Sequence, residues 1–76
     1  MDVIKQLPYQ KLIKIFEKAG CVYSHTKGDH MIFHYKGAIR PIVIPKYKEV
    51  PVFIIKNNMK IIGLSKQRFL EISSDI

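Results

Sequence analysis

Apolar residues recur at helical spacing near the start of the chain. The four residues that lie three or four positions apart are Leu12, Ile15, Phe16 and Ala19. This spacing is typical of one buried face of an amphipathic helix. Pro8 is acceptable at a helix start, and Gly20 suits a left-handed stop. The pattern predicts a first helix over residues 9–19.

Runs of aromatic and β-branched residues follow, and they predict three strands. Residues 21–25 and 30–35 form a hairpin in this interpretation, with residues 26–29 as its turn. Residues 39–44 give a third strand. Pro41 cannot donate a ladder hydrogen bond, so this strand is expected at an edge or with a bulge.

Alternation along the second strand separates two faces. His30, Ile32 and His34 share one face because successive side chains of a strand point to opposite sides. Met31, Phe33 and Tyr35 share the other face. The second set is the better candidate for the core.

The last third of the chain is helical in pattern. A basic loop over residues 45–51 precedes a helix over residues 52–62, and Gly63 is its stop. Ser65 is expected to cap one short further helix, and residues 73–76 are expected to fray.

The predicted order of elements is α-β-β-β-α with a short C-terminal helix. Three antiparallel strands with helices packed on one face make an α+β fold, and the other face of the sheet stays open to solvent. With 76 residues, residues 1–76 are expected to form a single domain.

Charge narrows the class of partner. The chain has 13 Lys and Arg against 6 Asp and Glu, a formal charge of +7, which attracts polyanions. No apolar run is long enough for a membrane span, and no signal peptide is evident. We therefore expect a cytoplasmic protein with no membrane partner, in which the single cysteine, Cys21, is buried and unpaired.

The segment 27–30, Lys-Gly-Asp-His, is the best candidate for chemistry. An imidazole titrates near neutral pH, so His30 can accept a proton from an RNA 2′-hydroxyl or give one to a departing oxygen. Lys27, Arg40 or Lys46 could neutralise charge that develops on the phosphorus. From position alone, a solvated or binding histidine is the more common interpretation.

Two weaker possibilities remain open beside this segment. His25 and His34 add potential metal ligands to Asp29 and His30, but the spacing matches no compact metal motif, and we expect no metal and no cofactor. His34 shares a strand face with His30 and could approach the same RNA, or could simply be solvated.

Aromatic and basic side chains also have two interpretations. Tyr23 and Tyr47 could stack on unpaired bases, although core filling is the stronger expectation for Tyr23. Lys46 and Lys48 are the best phosphate-contact patch, with plain loop solvation as the alternative.

A series of short motifs carries a resemblance to a known family. In chain order they are Ala19-Gly20, Lys27-Gly28-Asp29-His30, Ile32-Phe33, Ile44-Pro45, the helix from Met59 to Gly63, and Phe69. In this order they are similar to the HicA (YcfA-like) mRNA interferase toxins of HicAB toxin-antitoxin systems. The resemblance extends from about Leu7 to about Ile72, although each motif alone is weak.

The resemblance implies a fold like the double-stranded-RNA-binding domain and a type II toxin. It implies an endoribonuclease that cleaves mRNA and blocks translation, and a cognate HicB-like antitoxin as partner. His30 takes the position of the family's catalytic histidine, and Gly28 that of its turn glycine. Asp29 departs from the usual serine, and its carboxylate would either orient His30 or repel phosphate.

Because the sequence offers no compact metal motif, we expect the RNA's own 2′-hydroxyl to be the nucleophile. The alternative function is a non-catalytic RNA-binding module, or an antitoxin-docking protein, of the same fold.

Overall fold

The computed structural model describes residues 3–76. Its elements are α1 (Tyr9–Lys18), β1 (Val22–Lys27), β2 (His30–His34), β3 (Ile42–Pro45), α2 (Val52–Ile62) and α3 (Lys66–Ser74). The predicted α+β class and the order of elements are confirmed. The likeness to the double-stranded-RNA-binding domain stays a prediction.

The three strands form one antiparallel sheet in the order β1-β2-β3. Phe33 pairs with Ile42 and Met31 pairs with Ile44, so these side chains share one face of the sheet. Phe33, Ile42 and Ile44 are fully buried. This face, hereafter the core face, is the one that the alternation along β2 predicts.

The helices supply the rest of the core. Buried side chains from the helices and the segments beside them are Leu12, Ile15, Phe16, Val50, Ile55, Met59, Phe69 and Ile72. The rings of Phe16 and Phe69 meet edge to face with 6.4 Å between centroids, so α1 and α3 pack directly on each other. Burial of this apolar set is the main driving force for folding.

Strand β3 lies at an edge of the sheet, as Pro41 indicated. One buried polar residue of α2 closes this edge: Asn58 Nδ2 donates to the Val43 carbonyl at 2.9 Å, and Asn58 Oδ1 accepts from the Val43 N–H at 3.4 Å. Unpaired backbone groups on an edge strand need partners when they are covered. Asn58 therefore fixes α2 beside β3.

The hairpin differs from the prediction in its boundaries. β1 extends to Lys27 rather than ending at His25, and the turn shortens from residues 26–29 to Gly28 and Asp29. Thr26 pairs with Met31 and Lys27 pairs with His30. The reason is that a two-residue turn with glycine suffices to reverse the chain.

The third strand was predicted three residues too early. Residues 39–44 were expected, but Ile39 is fully exposed and β3 begins at Ile42, after Pro41. At the other end, Pro45 pairs with His30, and the Lys46 N–H donates to the Asp29 carbonyl at 2.8 Å. The missing N–H of Pro41 explains the late start.

The C-terminal prediction was partly wrong. Ser65 caps α3 as expected, since its Oγ accepts from the Arg68 N–H at 3.1 Å. However, α3 continues to Ser74, whose Oγ donates to the Glu71 carbonyl at 2.9 Å. Ile72 is buried against the core, and this packing keeps the last turn helical.

Candidate active site

A tight turn positions His30 at the first residue of β2. Gly28 has a φ of +62°, and no non-glycine residue among residues 3–76 has a positive φ. A positive φ at only the first central position, occupied by glycine, is typical of a type II′ hairpin turn. The turn sets Lys27 directly opposite His30, where the Cβ atoms of a cross-strand pair lie about 5 Å apart.

Asp29 holds one side of the imidazole. Its Oδ1 lies 3.0 Å from Nδ1 of His30, and the two side chains are 64% and 48% exposed. The two ring nitrogens of histidine are chemically distinct, and a partner at one sets the role of the other. With Nδ1 beside the carboxylate, Nε2 is the nitrogen that a ligand can reach.

The strand register defines the second face of the sheet, hereafter the open face. His30 and His34 lie on it with Ile32 between them, and all three are on β2. His30 and His34 are four residues apart, on the order of 13 Å along a strand. They share a face, as predicted, but they are too far apart to hold the same phosphate oxygen.

A bulge brings His25 to the open face as well. Tyr23 pairs with Phe33 on the core face, and the register then shifts so that His25 pairs with Ile32. Simple alternation would have placed His25 with Tyr23, but the extra residue, Ser24, reverses the facing. Ser24 Oγ lies 2.9 Å from His25 Nδ1.

An open groove of about 590 Å³ lies between β3 and α2, and His30 is among its lining residues. We call it the β3–α2 groove. Pro45 and Val43 form its floor on the strand side, and Phe53 and Asn57 line its helix side. Its volume is within the range of small-ligand sites, about 300–1,000 Å³.

Cavity volume alone does not identify this groove as the candidate site. A slightly larger cavity, about 640 Å³, is lined by residues from α1 and α3 such as Lys11 and Leu70, and its lining contains no histidine. The β3–α2 groove has the imidazole, an arginine and two asparagines together. The chemistry of the lining therefore favours the smaller site.

The predicted cations fall into different places. Arg40 lines the β3–α2 groove together with His30, and Lys27 faces His30 across the hairpin. Lys46 adjoins the turn through its backbone bond to Asp29. Lys48 is exposed in the loop after β3 and is absent from the described lining of the groove.

The loop that carries Lys46 and Lys48 is held by the backbone. The Tyr9 N–H donates to the Tyr47 carbonyl at 3.2 Å, and the Val50 N–H donates to the Leu7 carbonyl at 2.7 Å. These bonds fix the loop against the segment before α1. Tyr47 is thereby positioned in the wall of the groove.

The aromatic predictions have mixed outcomes. Tyr23 is 47% exposed and only covers the edge of Phe33, at 5.6 Å between ring centroids, so the core interpretation of Tyr23 was wrong. Tyr47 lines the groove, and its stacking on a base stays a prediction. The sequence interpretation missed Phe53, which is 73% exposed.

Asn57 and Asn58 were also missed. The signal was present, because a buried helical stripe through Ile55 and Met59 also includes position 58, where an asparagine needs a partner. The position of Asn57 depends on how α2 lies beside β3. The packing of one helix against one strand cannot be predicted from a single sequence.

Two further groups bear on the chemistry. Within residues 3–76, no group of three or more His, Cys, Asp or Glu side chains is arranged to hold a metal ion. Cys21 is buried, as expected, and burial raises the pKa of its thiol from 9.0 to about 11. The thiolate is the reactive form, so Cys21 is inert near neutral pH.

No helix in the described part of the chain is both long and apolar enough to cross a membrane.

Comparison with models of known protein families gives a match. A family model described as HicA toxin of bacterial toxin-antitoxin matches residues 9–64, which include the turn, β2, β3 and α2. The match covers more than half of the 76 residues. Among curated proteins, none matches the chain.

Proposed function

The chain belongs to the HicA family of toxins of bacterial toxin-antitoxin systems, and from this membership we propose that it is an endoribonuclease that cleaves mRNA with His30 as general acid and base. The observation that carries the proposal is the position of His30. It is exposed at a rigid turn, with Nδ1 3.0 Å from Asp29 and with Lys27 opposite.

The proposed reaction uses the RNA 2′-hydroxyl as nucleophile. Nε2 of His30 takes the 2′-hydroxyl proton, the 2′-oxygen attacks the adjacent phosphorus, and the bond from phosphorus to the 5′-oxygen breaks. The protonated imidazole then gives its proton to the departing 5′-oxygen. The products are a 2′,3′-cyclic phosphate and a 5′-hydroxyl, and a placed acid or base contributes about 10²–10⁴ to the rate.

The neighbours of His30 have separate roles in this proposal. Asp29, at 3.0 Å from Nδ1, keeps the ring oriented so that Nε2 faces the substrate. Lys27 stabilises the negative charge that grows on the phosphate oxygens. Gly28 is a positioning residue, since its φ of +62° makes the turn.

Basic residues around the site support RNA as the substrate. The chain has a net charge of +7, and Arg40, Lys46 and Lys48 supply positive charge along the groove and the loop that follows it. Phosphate contacts of this kind dominate affinity for nucleic acids. His34 lies farther along the open face and extends this surface.

An antitoxin is implied by the family, and we propose that it is of the HicB type and covers the open face at His30. Covering the catalytic residue is the most direct way to silence the toxin. Antitoxin-bound protein should then cleave RNA far more slowly than free protein. Equal rates for the two would contradict this surface assignment.

The test is cleavage of a short RNA by the purified chain, freed of any partner, in excess EDTA. The matched control is the same oligonucleotide with a single 2′-deoxy residue at the cleaved position. We expect the RNA to be cut to a cyclic phosphate and the 2′-deoxy control to survive. Cleavage of both substrates would exclude the internal nucleophile, and no cleavage of either would leave a non-catalytic RNA-binding module or an antitoxin-docking protein.

A further inference from the structure

The β3–α2 groove contains an aromatic ring that folding does not use. Phe53 lies in the first turn of α2 and is 73% exposed, although the same helix buries Ile55 and Met59 in the core. The groove around it is mostly apolar and carries a few polar groups, a lining that is typical of ligand sites. Tyr47, 42% exposed, stands in the same groove.

One turn farther along α2, Asn57 presents an amide to the same groove. Phe53 and Asn57 are four residues apart, so they are neighbours on one face of the helix. The amide of Asn58 is already engaged by the Val43 backbone. Asn57 is therefore the amide that can donate to and accept from the edge of a ligand.

Arg40 supplies positive charge to the groove. It also lines the neighbouring cavity of about 420 Å³ together with Asn57 and Lys60. Within residues 3–76, the carboxylate ion pairs are Asp29 with His30 and Glu71 with Arg68. Arg40 has no carboxylate partner in that set, so its guanidinium is open to a phosphate.

A flat aromatic face, a hydrogen-bonding amide and a phosphate-binding cation in one groove match a nucleotide. We propose that the β3–α2 groove binds one unpaired base of single-stranded RNA next to the cleaved phosphate, with Phe53 stacking on the base, Asn57 reading its edge and Arg40 holding a flanking phosphate. The proposal rests on the proposed function, because it takes His30 as the cleavage centre.

The same features disfavour a duplex as the occupant. The base edges in the deep major groove of an A-form duplex are inaccessible to side chains, and the faces of its bases are stacked on one another. Phe53 can stack only on a base that has left a helix. The groove therefore selects unpaired RNA, and Asn57 gives it a preference among the four bases.

The test measures binding without cleavage. The native chain is titrated with labelled 2′-O-methyl oligoribonucleotides, which lack the proposed nucleophile, and binding is followed by fluorescence anisotropy at fixed salt. Four single-stranded probes differ only in the base at one position. A fifth probe is a blunt duplex of the same sequence.

Two paired substitutions isolate the stacking contact. Phe53→Leu keeps an apolar side chain but removes the aromatic face, and we expect it to weaken single-strand binding about tenfold. Phe53→Tyr keeps the face and should bind within about twofold of the native chain. Ile76→Ala, an exposed apolar change beside α1 and outside the groove, should leave binding unchanged.

Asn57→Ala tests the reading of the base. We expect it to reduce the differences among the four single-stranded probes, while overall affinity falls less than with Phe53→Leu. Equal affinity of the native chain for all four probes would contradict the role of Asn57.

Failure of the inference is distinguishable from failure of the proposed function. If Phe53→Leu binds RNA as well as the native chain, or if the duplex binds as tightly as the single strand, the inference is overturned even when the chain cleaves RNA. Phe53-dependent binding without cleavage would support the groove and overturn the nuclease.

Discussion

The two faces of the sheet have opposite surroundings although they belong to the same strands. On the core face, Phe33, Ile42 and Ile44 are fully buried under the helices. On the open face, His30 and Lys27 are exposed, and His30 lines the β3–α2 groove. Adjacent residues of β2 thus face different surroundings. Substitutions on the core face should lower stability, and substitutions on the open face should lower activity.

The largest expected effect on stability is on the core face. Phe33→Ala removes a fully buried ring and should lower the free energy of unfolding by about 3–5 kcal/mol. The total free energy of unfolding of a native protein is only about 5–15 kcal/mol. Phe33→Leu, a milder change, should unfold at an intermediate urea concentration, and equal midpoints for Phe33→Leu and the native chain would contradict the packing described here.

The core face was readable from the sequence because it depends on alternation. Met31 and Phe33 alternate with His30 and Ile32 along β2, and this period identifies the buried side without knowledge of the helices. The helical stripes of α1 and α2 were identified in the same way. Local patterns therefore sufficed for the α+β class and for the order of elements, whereas the burial of Cys21 followed from its being the single cysteine.

The groove was not readable, because it depends on where α2 settles against β3. The contacts of Asn58 with Val43 fix that placement, and they join residues 15 positions apart in the chain. The bulge at Ser24 likewise moved His25 to the open face against simple alternation. Segment 27–30 and the motif resemblance singled out His30 as a candidate, whereas the placement of Phe53 and Asn57 in the groove required the three-dimensional packing.

Substitution of Lys27 should have the next largest effect, and this effect should be on cleavage activity and not on stability. Lys27→Gln should slow RNA cleavage about 10- to 100-fold. This loss is smaller than the loss of a buried donor to the transition state would cause, because Lys27 is exposed. Lys27→Arg should keep most of the rate. Lys18→Gln removes an equal charge at the end of α1, and a similar loss there would mean that net charge, not position, matters.

The buried thiol of Cys21 predicts a pH effect on the core side. Its folded pKa of about 11 is above the reference value of 9.0, so the unfolded chain loses this proton first. The stabilisation is complete below about pH 9 and is lost as pH rises through about 11, by roughly 1–3 kcal/mol. Urea unfolding at both ends of this range, with Cys21→Ala as the reference, measures it.

The same pH series has a clear contrary result. If the native chain and Cys21→Ala lose equal stability between neutral and strongly alkaline pH, other groups cause the loss. The thiol is then not protected by the core.

Asp29 should give the smallest effect. Its contact with His30 is exposed on both sides, and exposed ion pairs contribute about 0–1 kcal/mol. Asp29→Ser, which restores the family's usual residue, should therefore slow cleavage by no more than about fivefold. Faster cleavage by Asp29→Ser would mean that the carboxylate repels phosphate instead of orienting the ring.

The central claim is that His30 on the open face carries out chemistry and does not hold the fold. It is tested most directly by measuring RNA cleavage in EDTA and urea unfolding on the same preparation of His30→Ala. We predict a fall in cleavage rate of about 10²-fold or more and an unfolding free energy within about 0.5 kcal/mol of the native chain. Cleavage at the native rate by a folded His30→Ala would contradict it.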